Sequence, residues 1–391
     1  MCGIFGYWDR KQQPLDDEVL HRMAQAVLHR GPDDEGIHHQ PHRGVAIGNR
    51  RLSIIDLGGG HQPFVSDDGL IAVVQNGEIF NHVELAAELR AQGVRLRSQS
   101  DTEVILRLYE REGIACLRRL NGMFAIAIDD AREDALYLAR DRIGVKPLFV
   151  HDNGQRLLFG SEPKAMWPAL GGHKPGMCLE AIHHYLTFNY VPVPWTAYEG
   201  VHHVMPGTWH RYTRGRHVQT QRWWSLADQR EQDFAFSDWT EEFMALLDDA
   251  TRIRLRADVP FGAFLSGGVD SSTIVGMMAR HVDQPVKTFC IGFEDPRYDE
   301  SAFALQAAQR FGCDHTTEVA ELNMLARWPK VLHHLDQPHG DASFMPMLRV
   351  SELAAKQVKV VLTGDGGDEL FAGYDKYAQF FARPDAMTLP Q

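Results

Sequence analysis

DVPFGAFLSGGVDSSTIVGMMARHV, residues 258–282, reads as a strand, a glycine-rich turn and a helix. Downstream, VKTFCIGF (286–293) reads as a buried strand and SAFALQAAQRFGC (301–313) as a helix. VKVVLTGDGGDELFAGY (358–374) returns to the order strand, glycine-rich turn, helix. Continuous apolar strands alternating with helices predict an α/β, doubly wound parallel sheet. Upstream, WTEEFMALLDDATRIRLRAD (239–258) spaces Phe, Leu and Ile as a helix does.

The first half follows another grammar. RLSIIDL (51–57), LIAVVQNG (70–77), MFAIAIDD (123–130), ALYLARD (135–141), PLFVHDNG (147–154) and RLLFGSE (156–162) are apolar segments bounded by Gly, Asp and Asn, as strands are. Helical patterns lie at EVLHRMAQAVLHR (18–30), HVELAAELRAQG (82–93) and DTEVILRLYEREG (101–113). The mixture predicts an α+β domain of layered antiparallel sheets over residues 1–208. The polar, aromatic stretch 209–236 reads as a connector, and 237–391 as the α/β domain. A chain of 391 residues exceeds one ordinary core, which agrees with two domains. There are no internal repeats and no low-complexity segments.

The formal net charge of -12, without a block of Lys or Arg, argues against nucleic acid or an anionic membrane as partner. The cysteines (Cys2, Cys116, Cys178, Cys290, Cys313) are odd in number, widely spaced and free of CxxC pairs. That pattern fits reduced cytoplasmic thiols better than disulfides or a zinc site. No signal peptide and no apolar run long enough for a membrane span are visible. The histidines of HHLDQPHGD (333–341) lack a metal spacing and read as surface or structural residues.

The chain begins MCGIFGYWDR. Aminopeptidases remove an initiator Met when a small residue follows, so Cys2 is expected to open the mature chain. Its thiol and free α-amino group would then share one residue. The amine can take the thiol proton as the thiolate attacks an amide carbon, and can later protonate the departing ammonia. HRGPDDEG (29–36) is a charged Gly/Pro turn. Arg51 is expected ahead of a strand, Asn76–Gly77–Glu78 at a strand end, and Asp101 at a helix start. Each has a structural reading: Asn–Gly marks turns, Ser100–Asp101 a helix cap, and such an Arg is usually solvated. Together they supply what glutamine hydrolysis needs. Asn76 and the Gly77 N–H can stabilise an oxyanion, Arg51 can hold an α-carboxylate, and Asp101 an α-ammonium.

MCGIFGYWD, HRGPDDEG, RLSIIDL, QNGEIFN, SDTEVIL, NGMFAIAI, ARDRIGVKPLF and FGSEPKAM occur in this order through residues 1–170. The chain resembles, in these segments, the glutaminase domain of class II glutamine amidotransferases, in the asparagine synthetase branch. The resemblance implies an N-terminal nucleophile (Ntn) sandwich with Cys2 as nucleophile and Asn76 and Gly77 as its catalytic partners. It also implies glutamine contacts from Arg51, Leu52, Ser53, Ile54, Ile55, Asn76, Gly77, Glu78 and Asp101.

In LSGGVDSS (265–272), Ser and Gly residues between strand and helix let backbone N–H groups face a phosphate, and the helix dipole adds to the attraction. The loop is neither a Walker A sequence nor GxGxxG. SGGxDS resembles the pyrophosphate-binding loop of N-type ATP pyrophosphatases. The resemblance implies an ATP site built from Leu265, Ser266, Gly267, Gly268, Asp270, Ser271, Ile291, Thr363 and Gly364. It implies Mg²⁺ ligands at Asp270 and Asp368, with Glu369 as a cap or network residue. Asp365 falls where many asparagine synthetases carry a Glu tied to forming the acyl adenylate.

The implied reaction is amide synthesis: ammonia released at Cys2 displaces AMP from an acyl adenylate made at the second site. Aspartate is the favoured acceptor. Another carboxylate, such as a sugar uronate, keeps the same chemistry, and a regulatory or glutaminase-only protein is the reading from another class. Apolar residues of YLTFNYVPVPW (185–195) read as a route for ammonia or as plain core. Partners are expected to be small molecules, with a homodimer as the oligomer considered. Relatives usually run well beyond 391 residues, and the region that supplies their adenylate-assisting Lys is not matched; Lys376 cannot be equated with it. The second domain is therefore expected to be incomplete, as a fragment or a natural short form, and poorly stable alone.

Overall fold

The computed structural model describes residues 2–215, 218–229, 235–320, 324–341 and 343–382. The chain divides into two compact units. One comprises Met1–Asp233 with Trp328–Ala342, the other Phe234–Arg327 with Ser343–Gln391.

The first unit carries strands β1 (Gly3–Asp9), β2 (Asp34–Gln40), β3 (Val45–Arg51), β4 (Phe64–Val65), β5 (Ile71–Ile79) and β6 (Gly122–Asp130). It continues with β7 (Ala135–Arg140), β8 (Phe149–Asp152), β9 (Arg156–Gly160), β10 (Val201–His203), β11 (Thr208–Tyr212) and β12 (Gln219–Arg222). Its first helices are α1 (Asp17–Ala26), α2 (His82–Ala91), α3 (Asp101–Glu112) and α4 (Leu179–Phe188). The strands form two six-stranded sheets, ordered β10-β8-β9-β1-β3-β2 and β12-β11-β7-β6-β5-β4. Neighbours such as β1 and β3, or β5 and β6, run antiparallel.

Side-chain alternation explains the layering. In β1, Ile4 and Trp8 enter the core between the sheets, where they join Ile47 of β3 and Val74, Ala125 and Leu138 of the other sheet. Phe5 and Tyr7 point to the opposite face, under Leu20 and Met23 of α1. On the outer face of the second sheet, Val73, Ile126 and Ile128 pack under α2 and α3 through Leu85, Leu89, Ile105 and Leu108. The result is the expected sandwich of antiparallel sheets with helices outside both. Each such buried Leu, Ile or Phe contributes about 1.5–3 kcal/mol of transfer free energy.

Three local expectations change. β3 ends at Arg51, and RLSIIDL continues as a loop rather than a strand. The loop folds on itself because Arg51 Nη2 donates to the carbonyls of Ile55 and Asp56, both at 2.8 Å, and Asp56 has a positive φ of 50°. Asn76–Gly77 lies inside β5, paired with Ala125 and Phe124, and not at a strand end. Part of the expected connector, WHRY at 209–212, lies in β11, which extends the second sheet beside β7 and buries Trp209 and Tyr212.

The second unit carries α5 (Phe236–Arg254), β13 (Phe261–Phe264), α6 (Val269–His281), β14 (Lys287–Gly292), α7 (Ser301–Phe311) and β15 (Asp314–Val319). The helix α8 (Trp328–Leu335) belongs to the first unit. The second unit resumes with α9 (Phe344–Ala354), β16 (Val360–Leu362), α10 (Gly367–Phe371) and α11 (Asp375–Phe381). Its sheet is parallel, in the order β15-β14-β13-β16. Val275 and Met278 of α6 and Ala304 and Ala308 of α7 cover one face, while Val350 and Leu353 of α9 pack with Phe289 on the other. The chain steps outward from β13 to β15 and then returns on the other side of β13 as β16. That reversal is a topological switch point, and ligands of such sheets bind at the carboxyl ends of the strands beside it. Large apolar side chains remain exposed on α5, α10 and α11, among them Phe236, Leu246, Leu370 and Phe381. Among the described residues, no helix is long and apolar enough to cross a membrane.

Candidate active sites

In the first unit, β1 and β3 pair Gly3 with Arg50, which sets Cys2 beside the end of β3. Cys2 is buried, its Sγ lies 3.8 Å from the Leu52 carbonyl oxygen, and its own carbonyl accepts from Arg30 Nε at 3.0 Å. A cavity of about 60 Å³ opens beside it. Arg51, Leu52, Ile54 and Ile55 line one side, and Asn76, Gly77, Glu78 and Asp101 another. Of the expected glutamine contacts, Ser53 alone does not line the cavity; its N–H donates to Asp33 Oδ2 at 2.8 Å.

The polar groups around the thiol are held in place and only partly satisfied. Arg51 commits Nη2 to loop carbonyls. Asp101, just behind the Ser100 cap of α3, accepts through Oδ2 from the Ile79 N–H (2.9 Å) and from Gln75 Nε2 (3.1 Å). Asn76 donates from Nδ2 to Ser161 Oγ at 3.3 Å, and its buried Oδ1 has no partner among the described residues. A buried acceptor without a partner costs about 1–3 kcal/mol, so Asn76 Oδ1, on a residue that lines the cavity, calls for a water or a ligand. Gly77 has a φ of +156°, and a Cβ there would sit 2.0 Å from the Met123 carbonyl oxygen of β6. Only glycine allows β5 and β6 to close at this point.

Gly60, Gln62 and Met123 also line the cavity without having been expected there, and two further unexpected residues, Ser161 and Lys146, bear on its geometry. Ser161, after β9, exchanges bonds with Ile4: its N–H donates to the Ile4 carbonyl (2.8 Å), and its Oγ accepts from the Ile4 N–H (3.0 Å) and from Asn76 Nδ2. It therefore ties β1 to the opposite sheet. Lys146 also lines the cavity and is buried. Its N–H donates to Asp141 Oδ2 (2.9 Å), and its carbonyl accepts from Arg140 Nε (2.8 Å). Burial, with Arg30 nearby, lowers its ammonium pKa to about 8, against the pull of Asp141, Cys2 and Glu78. Both residues fall in quoted segments, FGSEPKAM and ARDRIGVKPLF, but a lone Ser or Lys at a strand end carries no distinguishing pattern.

In the second unit, the loops after β13 and β16 meet. Leu265 is buried and donates its N–H to Phe289 O at 3.0 Å. Gly267 has a φ of +85°, and a Cβ there would lie 2.4 Å from the Phe303 backbone carbon. Ser266 Oγ lies 3.0 Å from Ser271 Oγ and accepts from the Gly268 N–H at 3.2 Å, which shapes the turn into α6. A Cβ on Gly364 would be 2.7 Å from Ser271 N, and one on Gly367 2.3 Å from Asp270 Oδ2. Asp270, in the first turn of α6, therefore abuts the glycines of TGDGGDE. Thr363 Oγ1 donates to Asp365 Oδ2 at 2.9 Å, and Ile291 lies in the neighbouring strand β14. Asp368 opens α10, Tyr374 donates to Glu369 Oε1 at 2.9 Å, and Lys376 Nζ sits 4.4 Å over the Tyr374 ring.

Among the described residues, no three His, Cys, Asp or Glu side chains gather as a metal cage. Asp270 abuts Gly367, the residue before Asp368, so the two expected carboxylates belong to adjoining turns. In the stretch 185–195, Leu186, Phe188 and Tyr190 are exposed and only Val191 is buried, so it is not plain core.

Comparison with known proteins agrees with this division. Residues 1–224 match the family model of the glutamine amidotransferase domain, and 242–388 that of asparagine synthase. Asparagine synthetase (glutamine-hydrolyzing) 1 of Bacillus subtilis is 34% identical over 97% of this chain, which spans 60% of that protein. A putative asparagine synthetase (glutamine-hydrolyzing) 2 of Methanocaldococcus jannaschii is 35% identical over the whole chain, and 79% of it is covered. The amidase chyE of Penicillium rubens is 33% identical over the whole chain, which covers 62% of it. The chain thus spans about three fifths of the length of several curated relatives. With its Cys2 cleft, its paired glycine turns and these matches, the chain belongs to the family of glutamine-hydrolysing asparagine synthetases.

Proposed function

We propose that the first site hydrolyses glutamine and that the second uses ATP to activate a carboxylate for amide formation, with aspartate the favoured acceptor. One observation carries the first half. Around the Cys2 thiol lie a guanidinium with Nε and Nη1 uncommitted among the described residues, a carboxylate with one such oxygen, and the orphaned Asn76 Oδ1. That set is complementary to an amino acid with a side-chain amide.

In this reading Arg51 pairs with the α-carboxylate and Asp101 Oδ1 with the α-ammonium. Cys2 Sγ attacks the amide carbon, and its proton passes to the α-amino group of a chain that begins at Cys2. The Asn76 amide and the Gly77 N–H receive the oxyanion. The C–N bond breaks, ammonia departs with a proton from the amine, and water cleaves the thioester to glutamate.

At the second site, the Gly267 N–H and the start of α6 hold the phosphates. Asp270 and Asp368 would hold Mg²⁺, whose charge neutralises the leaving pyrophosphate. Asp365, fixed by Thr363, faces the acyl adenylate step. The similarity to the amidase chyE supports a second reading of the acceptor alone, a carboxylate other than aspartate.

The test is glutamate formation by the full chain and by Cys2→Ala and Arg51→Met. Cys2→Ala is expected to abolish glutamine hydrolysis, and Arg51→Met to raise KM for glutamine. Undiminished hydrolysis in Cys2→Ala would overturn the assignment.

A further inference from the structure

The segment Trp328–Ala342 lies within the residues that match the asparagine synthase model, yet it packs in the first unit. It enters from Arg327 and leaves at Ser343, both in the second unit. Tyr198 Oη donates to the Asp336 carbonyl (2.6 Å), the Ala197 N–H to Gln337 Oε1 (3.1 Å), and the Gly340 N–H to the Asn189 carbonyl (2.8 Å).

A chain of charged contacts then runs inward from this segment. Asp336 Oδ2 pairs with Lys164 Nζ at 2.9 Å. Lys164 Nζ also donates to the His333 carbonyl (3.0 Å) and pairs with Glu162 Oε2 (2.7 Å). Glu162 Oε1 accepts from Arg30 Nη1 (2.9 Å) and lies 3.0 Å from His29 Nε2. Arg30 Nε donates to the carbonyl of Cys2 at 3.0 Å. The side chains of Asp336, Lys164, Glu162 and Arg30 are each 8–10% exposed. These four links are largely buried, although Lys164 and the one-third exposed His29 line an open cavity, so the buried charges depend mainly on one another for compensation.

Burial pushes the Glu162 carboxyl up, but His29, Arg30 and Lys164 together hold it well below the carboxylate range. Burial raises the Asp336 carboxyl to about 6, against the pull of Lys164, its one ion-pair partner among the described residues, and of the more distant His29. The asymmetry follows from the donors each acid receives. Glu162 is the fixed hub, and Asp336 is the link most easily lost. When Asp336 leaves, Lys164 has Glu162 as its remaining carboxylate, and the hub that orients Arg30 must readjust.

We propose that Glu162 and Lys164 are positioning residues for Cys2, through which the seating of the 328–342 segment sets the rate of glutamine hydrolysis. The glutaminase would then respond to a segment carried by the ATP-domain sequence. This inference rests on the proposed glutaminase reading, so its test includes a readout independent of glutamine.

The experiment uses the full chain with Asp336→Asn, Lys164→Met and Lys164→Arg. It follows kcat and KM for glutamine, the alkylation rate of Cys2 by iodoacetamide, and thermal melting. Asp336→Asn and Lys164→Met are expected to lower kcat about tenfold or more, as small misplacements of reacting groups do. They should leave KM within about twofold, because Arg51, Asn76 and Asp101 are untouched. Both should change the alkylation rate, Lys164→Arg should restore most of the activity, and the double variant should be no worse than Lys164→Met.

Unchanged kcat and alkylation in folded Asp336→Asn and Lys164→Met would overturn the proposal. So would a rise in KM alone, or a Lys164→Arg variant as impaired as Lys164→Met. Should Lys164→Met not fold, Tyr198→Phe, which frees only the Asp336 carbonyl, is judged by the same criteria. A wild-type chain without glutaminase activity would sink the functional reading, while the alkylation rates would still decide the positioning role.

Discussion

Replacing Gly77 with alanine adds one methyl group at the point where β5 passes β6. Its Cβ would lie 2.0 Å from the Met123 carbonyl oxygen and 2.7 Å from Phe124 Cα. Neither is the end of a flexible side chain, so relief requires the strands to part by about 1 Å or more to reach ordinary contact. Overpacking of this kind costs about 1–3 kcal/mol of stability. In the proposed reaction the larger effect falls on chemistry, since the same movement carries the Gly77 N–H and the Asn76 amide away from where the oxyanion would form. Losing one such donor costs about 10²–10³ in kcat. Gly154→Ala is the control: its φ is also positive at +85°, but nothing lies within 4 Å of the new Cβ. It should cost about 1–2 kcal/mol through backbone strain alone and leave kcat unchanged. Steady-state glutamate formation and chemical denaturation of both variants provide the comparison. A Gly77→Ala enzyme that folds and keeps kcat within about threefold of wild type would refute an oxyanion role at this position.

Other consequences are open to measurement. Gly267→Ala would force a Cβ to 2.4 Å from the Phe303 backbone; pyrophosphate release should fall below detection while glutamine hydrolysis survives, and equal loss of both would contradict separate sites. Lys146, with a folded pKa of about 8 against an ordinary 10.5, binds fewer protons in the folded than in the unfolded chain between those values. Stability must therefore rise with pH across that window, by about 2 kcal/mol between pH 7 and 9.5. Denaturant midpoints of wild type and Lys146→Met at the two pH values should show a difference that shifts by that amount, and a pH-independent difference would count against a buried, partly neutral lysine. Limited proteolysis of the full chain should cut first within the second unit, where Phe236, Leu370 and Phe381 lie exposed; cleavage confined to the first unit would contradict the lower local stability.

Much of this architecture is legible in the residues because local pattern and tertiary role coincide. FGAFLSGGVDSS reads as strand, turn and helix, and β13, its loop and α6 form as such because Gly267 alone fits against Phe303. Asp101 reads as a helix start and is one. Asn76–Gly77 misleads because the same dipeptide that favours a hairpin turn also permits the close approach of β6, and only the partner strand distinguishes the two. RLSIIDL has strand-like residues, but the tertiary bonds of Arg51 to the carbonyls of Ile55 and Asp56 bend it into a loop lining the cleft. β2 hides in a charged Gly/Pro segment because it sits at a sheet edge, where apolar alternation is not required. Ser161, Lys146 and the Lys164–Asp336 pair depend on contacts across long sequence separations, which no local periodicity records.

Whether ammonia made at Cys2 feeds an ATP-dependent amidation is read most directly from pyrophosphate release with MgATP and aspartate. Wild type and Cys2→Ala would each be supplied with glutamine or with an ammonium salt. Release is expected from wild type with either nitrogen source, and from Cys2→Ala with ammonium only. Glutamine-dependent release by Cys2→Ala, or no release by wild type with any carboxylate offered, would contradict this expectation.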